Sequence, residues 1–327
     1  MALVVGVFAA FQYFKYDLQM LILSENYRQE LSGTISTTFS DFMTLTFSIL
    51  VEALPFVILG VLISVLIQTY IPTEKIIKRL PKNRFARRGV VSFLGVLMPV
   101  CECGNIPVTR SLIAKGFSVQ EAIIFLLSAP SVNIITVVVT LEAFNFNQSV
   151  AVARVVATLI VANITAIIVT RFISKKKLLN PTFAASCEVS KHAPRTFSRA
   201  TELFKSEMWL ITRLLVIGAM IAAASQTFVP REVITEIASN LVLSVVAMLI
   251  LAFVISICSS VDAFFALAYV NTFSLGSILA FLVAGPMVDI KMIALMKTTF
   301  TVRALAVITA SVFTLSLLIG IGFSYVW

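Results

Sequence analysis

Three apolar runs, residues 89–109, 118–141 and 149–170, lie between two stretches crowded with Lys and Arg. Each run has about the 20 residues that a helix rising 1.5 Å per residue needs to cross a bilayer. The first basic stretch, 75–88, holds Lys75, Lys78, Arg79, Lys82, Arg84, Arg87 and Arg88. The second, 171–205, holds Arg171, Lys175, Lys176, Lys177, Lys191, Arg195, Arg199 and Lys205. Short basic loops stay on the cytoplasmic side, so both stretches are expected there. Three full crossings cannot join two loops on one side. One segment is expected to enter the membrane and return, and the polar run 94–116, LGVLMPVCECGNIPVTRSLIAKG, falls in the segment best suited to it. Non-helical backbone at that depth is tolerated where protein or a watery cavity satisfies it.

Apolar runs of this length recur along the whole chain, which is 59% hydrophobic and 13% charged, more apolar than a soluble core requires. The runs are continuous and not alternating, which argues against a β-barrel. The net charge of +9 sits in short loops between apolar segments, so it reads as topology and not as a nucleic-acid surface. The first 14 residues lack a basic n-region and a small-residue cleavage site, so no cleaved signal peptide is expected. Lys15 and Asp17 interrupt residues 1–24, which read either as a poor extra span or as an interfacial helix.

The chain repeats itself. QTYIPTE (68–74) and QTFVPRE (226–232) share four of seven residues at an offset of 158, and FSVQEAIIFLLSAPSVNI (117–134) and FSLGSILAFLVAGPMVDI (273–290) share seven of eighteen at an offset of 156. The second pair aligns Pro130 with Pro286 and Asn133 with Asp289. The second half reads as the mirror of the first. Segment 206–229 leaves the cytoplasm, 241–270 enters and returns at 257–262, 274–296 crosses inward to Lys291, Lys297 and Arg303, and 304–326 crosses out. The expected fold is an all-α integral membrane protein with an inverted-topology repeat, each half carrying three transmembrane helices and one re-entrant helical hairpin. Eight plain spans with a kinked second helix in each half is the other reading. The expected divisions are an N-terminal apolar or interfacial segment (1–33), a first transmembrane repeat (34–173), a basic cytoplasmic linker (174–202) and a second, inverted repeat (203–327).

Inverted repeats place a substrate site where the hairpin tips meet near the midplane. At the first tip, Pro99 and Pro107 are expected to end helices and Gly104 to permit the turn. Cys101 and Cys103 offer soft ligands, and Glu102 and Asn105 add polarity where an ionisable group costs several kcal/mol. The second tip offers Cys258, Ser259, Ser260 and Asp262. Asn133 and Asp289, each three residues past a proline, read equally as helix bridges or as substrate contacts, with Pro130, Gly285 and Pro286 as hinges. The cysteines also fit a role as small packing residues. Arg154, Arg213, Glu52 and Asp41 read as snorkelling or structurally paired. Cys187, in the basic linker, is expected to be cytoplasmic and reduced, and no disulfide framework is expected. His192 is the sole histidine, and Walker, Rossmann and H-E-x-x-H patterns are absent, so neither an enzyme nor a cofactor is expected.

The motifs PVCECGNIP, FLLSAPSVN, CSSVDAFFAL and FLVAGPMVDIK occur in that order and resemble the ArsP/YraQ-type predicted permeases over roughly residues 35–327. The resemblance implies a bacterial inner-membrane, multi-pass permease whose characterised relatives export trivalent arsenicals. Matched by position, Cys101, Cys103, Gly104, Pro107, Pro130 and Asn133 belong to the first motif pair, and Cys258, Asp262, Gly285, Pro286 and Asp289 to the second. Cys101, Cys103 and Cys258 would then supply up to three soft metalloid ligands, with Glu102 and Asp262 tuning charge or carrying protons. Glu102 stands where the family more often has Ser, which leaves room for a cationic or proton-coupled substrate. The partners implied are a small-molecule or metalloid substrate and the lipid bilayer, with room for a homo-oligomer. The rival readings are a permease for a sulfur-containing or other small anion, a membrane thiol-redox protein using Cys101 and Cys103, and a non-transporting subunit of a larger complex.

Overall fold

The computed structural model describes residues 34–70, 81, 83–97, 101–144, 148–174, 177–191, 197–228, 241–270 and 272–326. The N-terminal segment 1–33, Pro99, His192 and the turn 231–239 lie outside the described residues. The chain divides into two compact units, 1–45 and 46–327.

Thirteen α-helices and one 3₁₀ turn, Leu94–Leu97, make up the regular structure among the described residues; the α-helices in chain order are α1 Thr34–Tyr70, α2 Arg84–Ser92, α3 Glu102–Ala114, α4 Val119–Val132, α5 Ile134–Ala143, α6 Gln148–Phe172, α7 Pro181–Lys191, α8 Phe197–Phe228, α9 Leu241–Ile255, α10 Asp262–Leu267, α11 Leu275–Ala284, α12 Ile290–Met296 and α13 Val302–Val326. The one β-contact described is an isolated antiparallel bridge between Leu179 and Phe300. Five stretches among the described residues are long and apolar enough to cross a membrane: Phe39–Tyr70, Val119–Ala143, Gln148–Phe172, Ser198–Gln226 and Val302–Tyr325.

The side-chain pattern of these helices is that of a bundle in lipid. On α6, Val152, Val156, Ile160 and Ile164 point outward at one-turn spacing. Its buried face carries Arg154, Ala157, Thr158, Val161, Ala162, Thr165, Ala166 and Val169. Lipid tails are as apolar as leucine, so the outward face needs no polar residues, and the inward face is free to carry small and polar ones.

The two halves share an order of elements: a long helix, a helix that breaks, a short helix after the break, an interrupted helix and a final long helix. Corresponding ends are capped alike. Ser118 and Glu121 form a capping box at the start of α4, and Ser274 caps α11 from the position 156 residues later. Asn133 caps α5 by accepting from Ile135 N, and Asp289 caps α12 by accepting from Met292 N.

The second interrupted helix departs from the expected span 274–296. Gly285 caps α11, Pro286 cannot donate to continue it, and Met287 N and Val288 N both return to Ala284 O. α11 and α12 are therefore separate short helices of 10 and 7 residues.

Two expectations at the first tip are corrected. Pro107 does not end a helix; it lies inside α3, which continues to Ala114. The Pro107 carbonyl accepts from Ser64 Oγ at 2.8 Å, and that contact ties α3 to α1. Gly104 makes no turn either. It lies within α3, and a Cβ on Gly60 would strike its backbone, so the pair lets α1 and α3 touch main chain to main chain.

The segment before α7 pairs with the chain after α12. Asn180 N donates to Thr299 O and Thr301 N to Leu178 O. Arg110, at the far end of α3, is buried against this strap. It pairs with Glu207 of α8 at 3.2 Å, donates to Thr298 O at 3.1 Å and stacks over the Phe183 ring at 4.4 Å.

Candidate functional site

Neither expected hairpin segment is one continuous helix. In the first, α2 gives way to a 3₁₀ turn at Leu94–Leu97, and α3 starts at Glu102 with Cys101 at its N-cap. α3 is buried from Glu102 to Ile113. Glu102 thus occupies the first helical position, where the unpaired N–H groups and helix dipole favour a negative charge. In the second, α9 ends at Ile255, and Ser256 takes a φ of 51°. It is the sole non-glycine residue with positive φ among those described. Such a conformation costs about 1–3 kcal/mol and persists where the surroundings hold it. Here the holding contact is visible: the Ser256 carbonyl accepts from Lys291 Nζ at 2.8 Å. A turn closed by Val261 N and Asp262 N on Cys258 O then leads into α10.

The two expected tip segments meet at Glu102. Its Oε2 accepts long contacts from Ser259 N (3.5 Å), Ser259 Oγ (3.4 Å) and the Cys258 thiol (3.6 Å). Its Oε1 stands 3.0 Å from Lys291 Nζ, a contact made by charge and not by an aligned hydrogen bond. Lys291 Nζ is also 3.6 Å from Asp289 Oδ2. The thiols of Cys101 and Cys258 lie within 4.8 Å of each other, Cys103 interacts with Cys101, and Ser260 Oγ donates to Cys258 Sγ at 3.4 Å. Ligand atoms of Cys101, Glu102 and Cys258 all lie within 4.8 Å of one another, and all three residues are buried. That donor set, two sulfurs and one carboxylate oxygen, suits a soft or borderline cation or metalloid. Cys103 joins through Cys101 and is fully buried in the core.

Asp262 is placed differently from the other tip residues. Its carboxylate receives both arms of Arg154, Nη1 to Oδ1 at 3.0 Å and Nη2 to Oδ2 at 2.5 Å, and Nη1 also donates to Thr140 Oγ1. Of the two roles expected for Arg154, pairing is the one realised: it is 1% exposed and does not snorkel. Asn133 serves α5 as its cap. Asn105 is fully buried, with no hydrogen bond to either side-chain atom. Pro130 lies inside α4, its carbonyl taken by Thr136 Oγ1, while Arg213 and Asp41 are exposed.

Lys291 requires a correction. Read as a cytoplasmic end-marker, it is 4% exposed and belongs to the site. Lys297 and Arg303 are exposed, as markers should be. A backbone detail makes room for it: a Cβ on Gly218 of α8 would lie 3.1 Å from the Lys291 Cα. The signal available in the sequence was a lysine two residues after an aspartate inside an otherwise apolar run, VDIKMIALM. Ser256 gave no comparable local signal, and Arg154, a lone cation in an apolar run, gave no sign of its partner.

The profile of a family described as predicted permease (ArsP_1) matches residues 38–325. The UPF0718 protein YcgR of Bacillus subtilis is 38% identical over 275 residues, which cover 83% of this chain and 92% of the relative. A Streptococcus mutans protein named "Putative two-component membrane permease complex subunit" is 34% identical over 260 residues, covering 78% and 86%. The UPF0718 protein MJ0584 of Methanocaldococcus jannaschii is 32% identical over 92 residues, covering 28% and 25%. No solved structure matches the chain.

Proposed function

We propose, from the premise that this chain belongs to the predicted permease family and is a multi-pass inner-membrane protein, that it is a secondary permease for a soft, thiol-reactive solute such as a trivalent arsenical. The cargo binds where Cys101 and Glu102 of one tip face Cys258 and Ser259 of the other, with Cys103 behind Cys101. The observation that carries this reading is the convergence of Cys101, Glu102 and Cys258, from segments some 156 residues apart, within 4.8 Å of one another. The tips are re-entrant hairpins of two halves with opposite topology, and the site lies near the midplane. The equal order of elements and the matching caps at 118 and 274, and at 133 and 289, support that arrangement.

The charge at the site argues against an anionic cargo. Its one ammonium, Lys291, already faces two carboxylates. A small anion would have to enter beside Glu102 and Asp289 with no cation left for it. The redox reading uses the same thiols but leaves Glu102 and Lys291 without a task. The name of the Streptococcus relative gives one further reading: this chain is the membrane subunit of a two-component permease complex.

Uptake of methylarsenite and arsenite into sealed everted vesicles tests the proposal. Vesicles holding the chain are expected to accumulate the arsenical over empty controls, with accumulation lost in Cys101→Ser/Cys258→Ser at equal protein level. Equal uptake by the wild type and the double variant would remove the thiols from the mechanism.

A further inference from the structure

Among the described residues, the buried acids are Glu102, Glu121, Glu207, Asp262 and Asp289. Three have a cation of their own: Glu121 has Arg87, Glu207 has Arg110 and Asp262 has Arg154. The other two share Lys291, which sits closer to Glu102, at 3.0 Å, than to Asp289, at 3.6 Å. One buried carboxyl group is therefore in excess. An uncompensated buried charge costs several kcal/mol, and such groups neutralise when they can.

The excess falls on Asp289. Its Oδ1 accepts from Met292 N at 2.6 Å as the cap of α12. Its Oδ2 is buried and without a hydrogen bond, and the residue is fully buried. Glu102, by contrast, has the ammonium and three donors from the second tip. The groups around Asp289 are Lys291 on its own helix, Glu102 of α3, and the thiols of Cys101, Cys103 and Cys258 around these two. Glu52 of α1 acts on Cys258. From α8, packed along α12, Glu207 is held by Arg110, Arg199 is half-buried, and Glu202, Lys205 and Arg213 are exposed. None of these supplies a second cation.

We propose that Asp289 is the proton carrier of this permease: Oδ2 holds a proton while Lys291 is engaged on Glu102, and releases it when the cargo takes Glu102 and Lys291 turns to Asp289. A small rotation of the lysine side chain brings Nζ from 3.6 Å into hydrogen-bond range of Oδ2. The ammonium then neutralises the carboxylate, the O–H bond breaks, and the proton leaves to water in the open site. A sodium ion suits the place poorly, because it would sit beside an ammonium with a single free carboxylate oxygen. The carrier role rests on the reading of the Cys101 cluster as the cargo site. The resting proton on Asp289 does not.

Infrared difference spectroscopy on the full chain in lipid, titrated through the neutral range without cargo, reads the proton directly. A protonated-carboxyl stretch is expected in the wild type and lost in Asp289→Asn, whose amide can still cap α12. The same band is expected to vanish in Glu102→Gln, because Lys291 then has one acid and Asp289 ionises. No such band in the wild type, or a band that survives Asp289→Asn, would overturn the assignment, and the wild-type titration needs no variant to fold. Loss of the band on adding sodium at constant pH would make the occupant a sodium ion and overturn it as well. Added methylarsenite is expected to abolish the band. If methylarsenite binds and the band persists, the coupling role fails; if it does not bind, the proposed cargo fails and the cargo-free titration still decides the proton.

Discussion

Two of the buried ion clusters among the described residues are built on different plans. Arg154 and Asp262 form a closed pair: two-armed, with the spare arginine capacity spent on Thr140. Lys291, Glu102 and Asp289 form an open one: a lysine between two acids, no aligned hydrogen bond to either, and three thiols alongside. Arginine's planar fork fixes one carboxylate in one geometry, whereas lysine is a point charge on a flexible stem that can change partners. A closed pair joins α6 to α10 and resists exchange. An open one can hand a charge from one acid to another, as the proposed transport cycle requires. On that proposal the first cluster is structural and the second carries the chemistry.

The sharpest way to break that contrast is to break the closed pair. Arg154→Met leaves Asp262 buried without a cation, and the expected loss is about 3–5 kcal/mol of stability. Arg154→Met/Asp262→Leu removes both charges and is expected to recover most of it. Thermal unfolding of the detergent-solubilised protein measures both variants. Little destabilisation by the single change would mean that the fork holds nothing together.

The open cluster answers in transport more than in stability. Glu102→Gln keeps shape but removes the charge to which Ser259, Cys258 and Lys291 all turn, and Cys101→Ser or Cys258→Ser removes one soft ligand. Losses at or beside a metal-type site are about 10–100-fold in affinity, and a decrease of that size in methylarsenite transport is expected for each. Normalised to folded protein, wild-type rates in all three would place the cargo elsewhere.

Asn133 and Asp289 allow the comparison to be tested residue by residue. They hold equivalent caps, so Asp289→Asn is expected to change stability by a few tenths of a kcal/mol while abolishing the pH response of transport. Asn133→Asp is expected to cost about 1–3 kcal/mol, since no described cation stands where Lys291 does in the other half. If Asp289→Asn transports with an unchanged pH response, the charge at that cap is incidental.

How far the sequence could reach is itself set by range. The candidate-site residues Cys101, Glu102, Cys258 and Ser259 were legible because each sits at a break in an apolar run. Arg154 and Asp262 are 108 residues apart, and nothing local links them. Lys291 was misread because counting cations by position along the chain cannot separate a lysine in a loop from one buried against a carboxylate on another helix. The gap between α11 and α12 was half legible: Gly285-Pro286 announced a kink, but the helix restarts because Asp289 caps a new one. The Pro107 expectation failed because α3 begins five residues earlier, and tertiary packing against α1 and α4 carries the helix through the proline.

The smallest effect belongs to Cys187, and it checks the frame on which the comparison stands. This thiol lies on α7, half-buried against the small cluster of Ile113, Ala122 and Phe183. It is remote in kind from the site: its neighbours are packing residues at the outer end of α3 and the start of α4, beside the Arg110 strap. Cys187→Ser is therefore expected to change stability by no more than about 0.5 kcal/mol and transport not at all. The same thiol reports sidedness. A membrane-impermeant maleimide is expected to label Cys187 in everted vesicles and not in intact cells if the linker is cytoplasmic, as its basic residues lead one to expect. Cys101, Cys103 and Cys258, all buried, are expected to react more slowly than Cys187. Labelling of Cys187 from outside intact cells would invert the orientation of every element, and with it the direction in which the open cluster faces the cell.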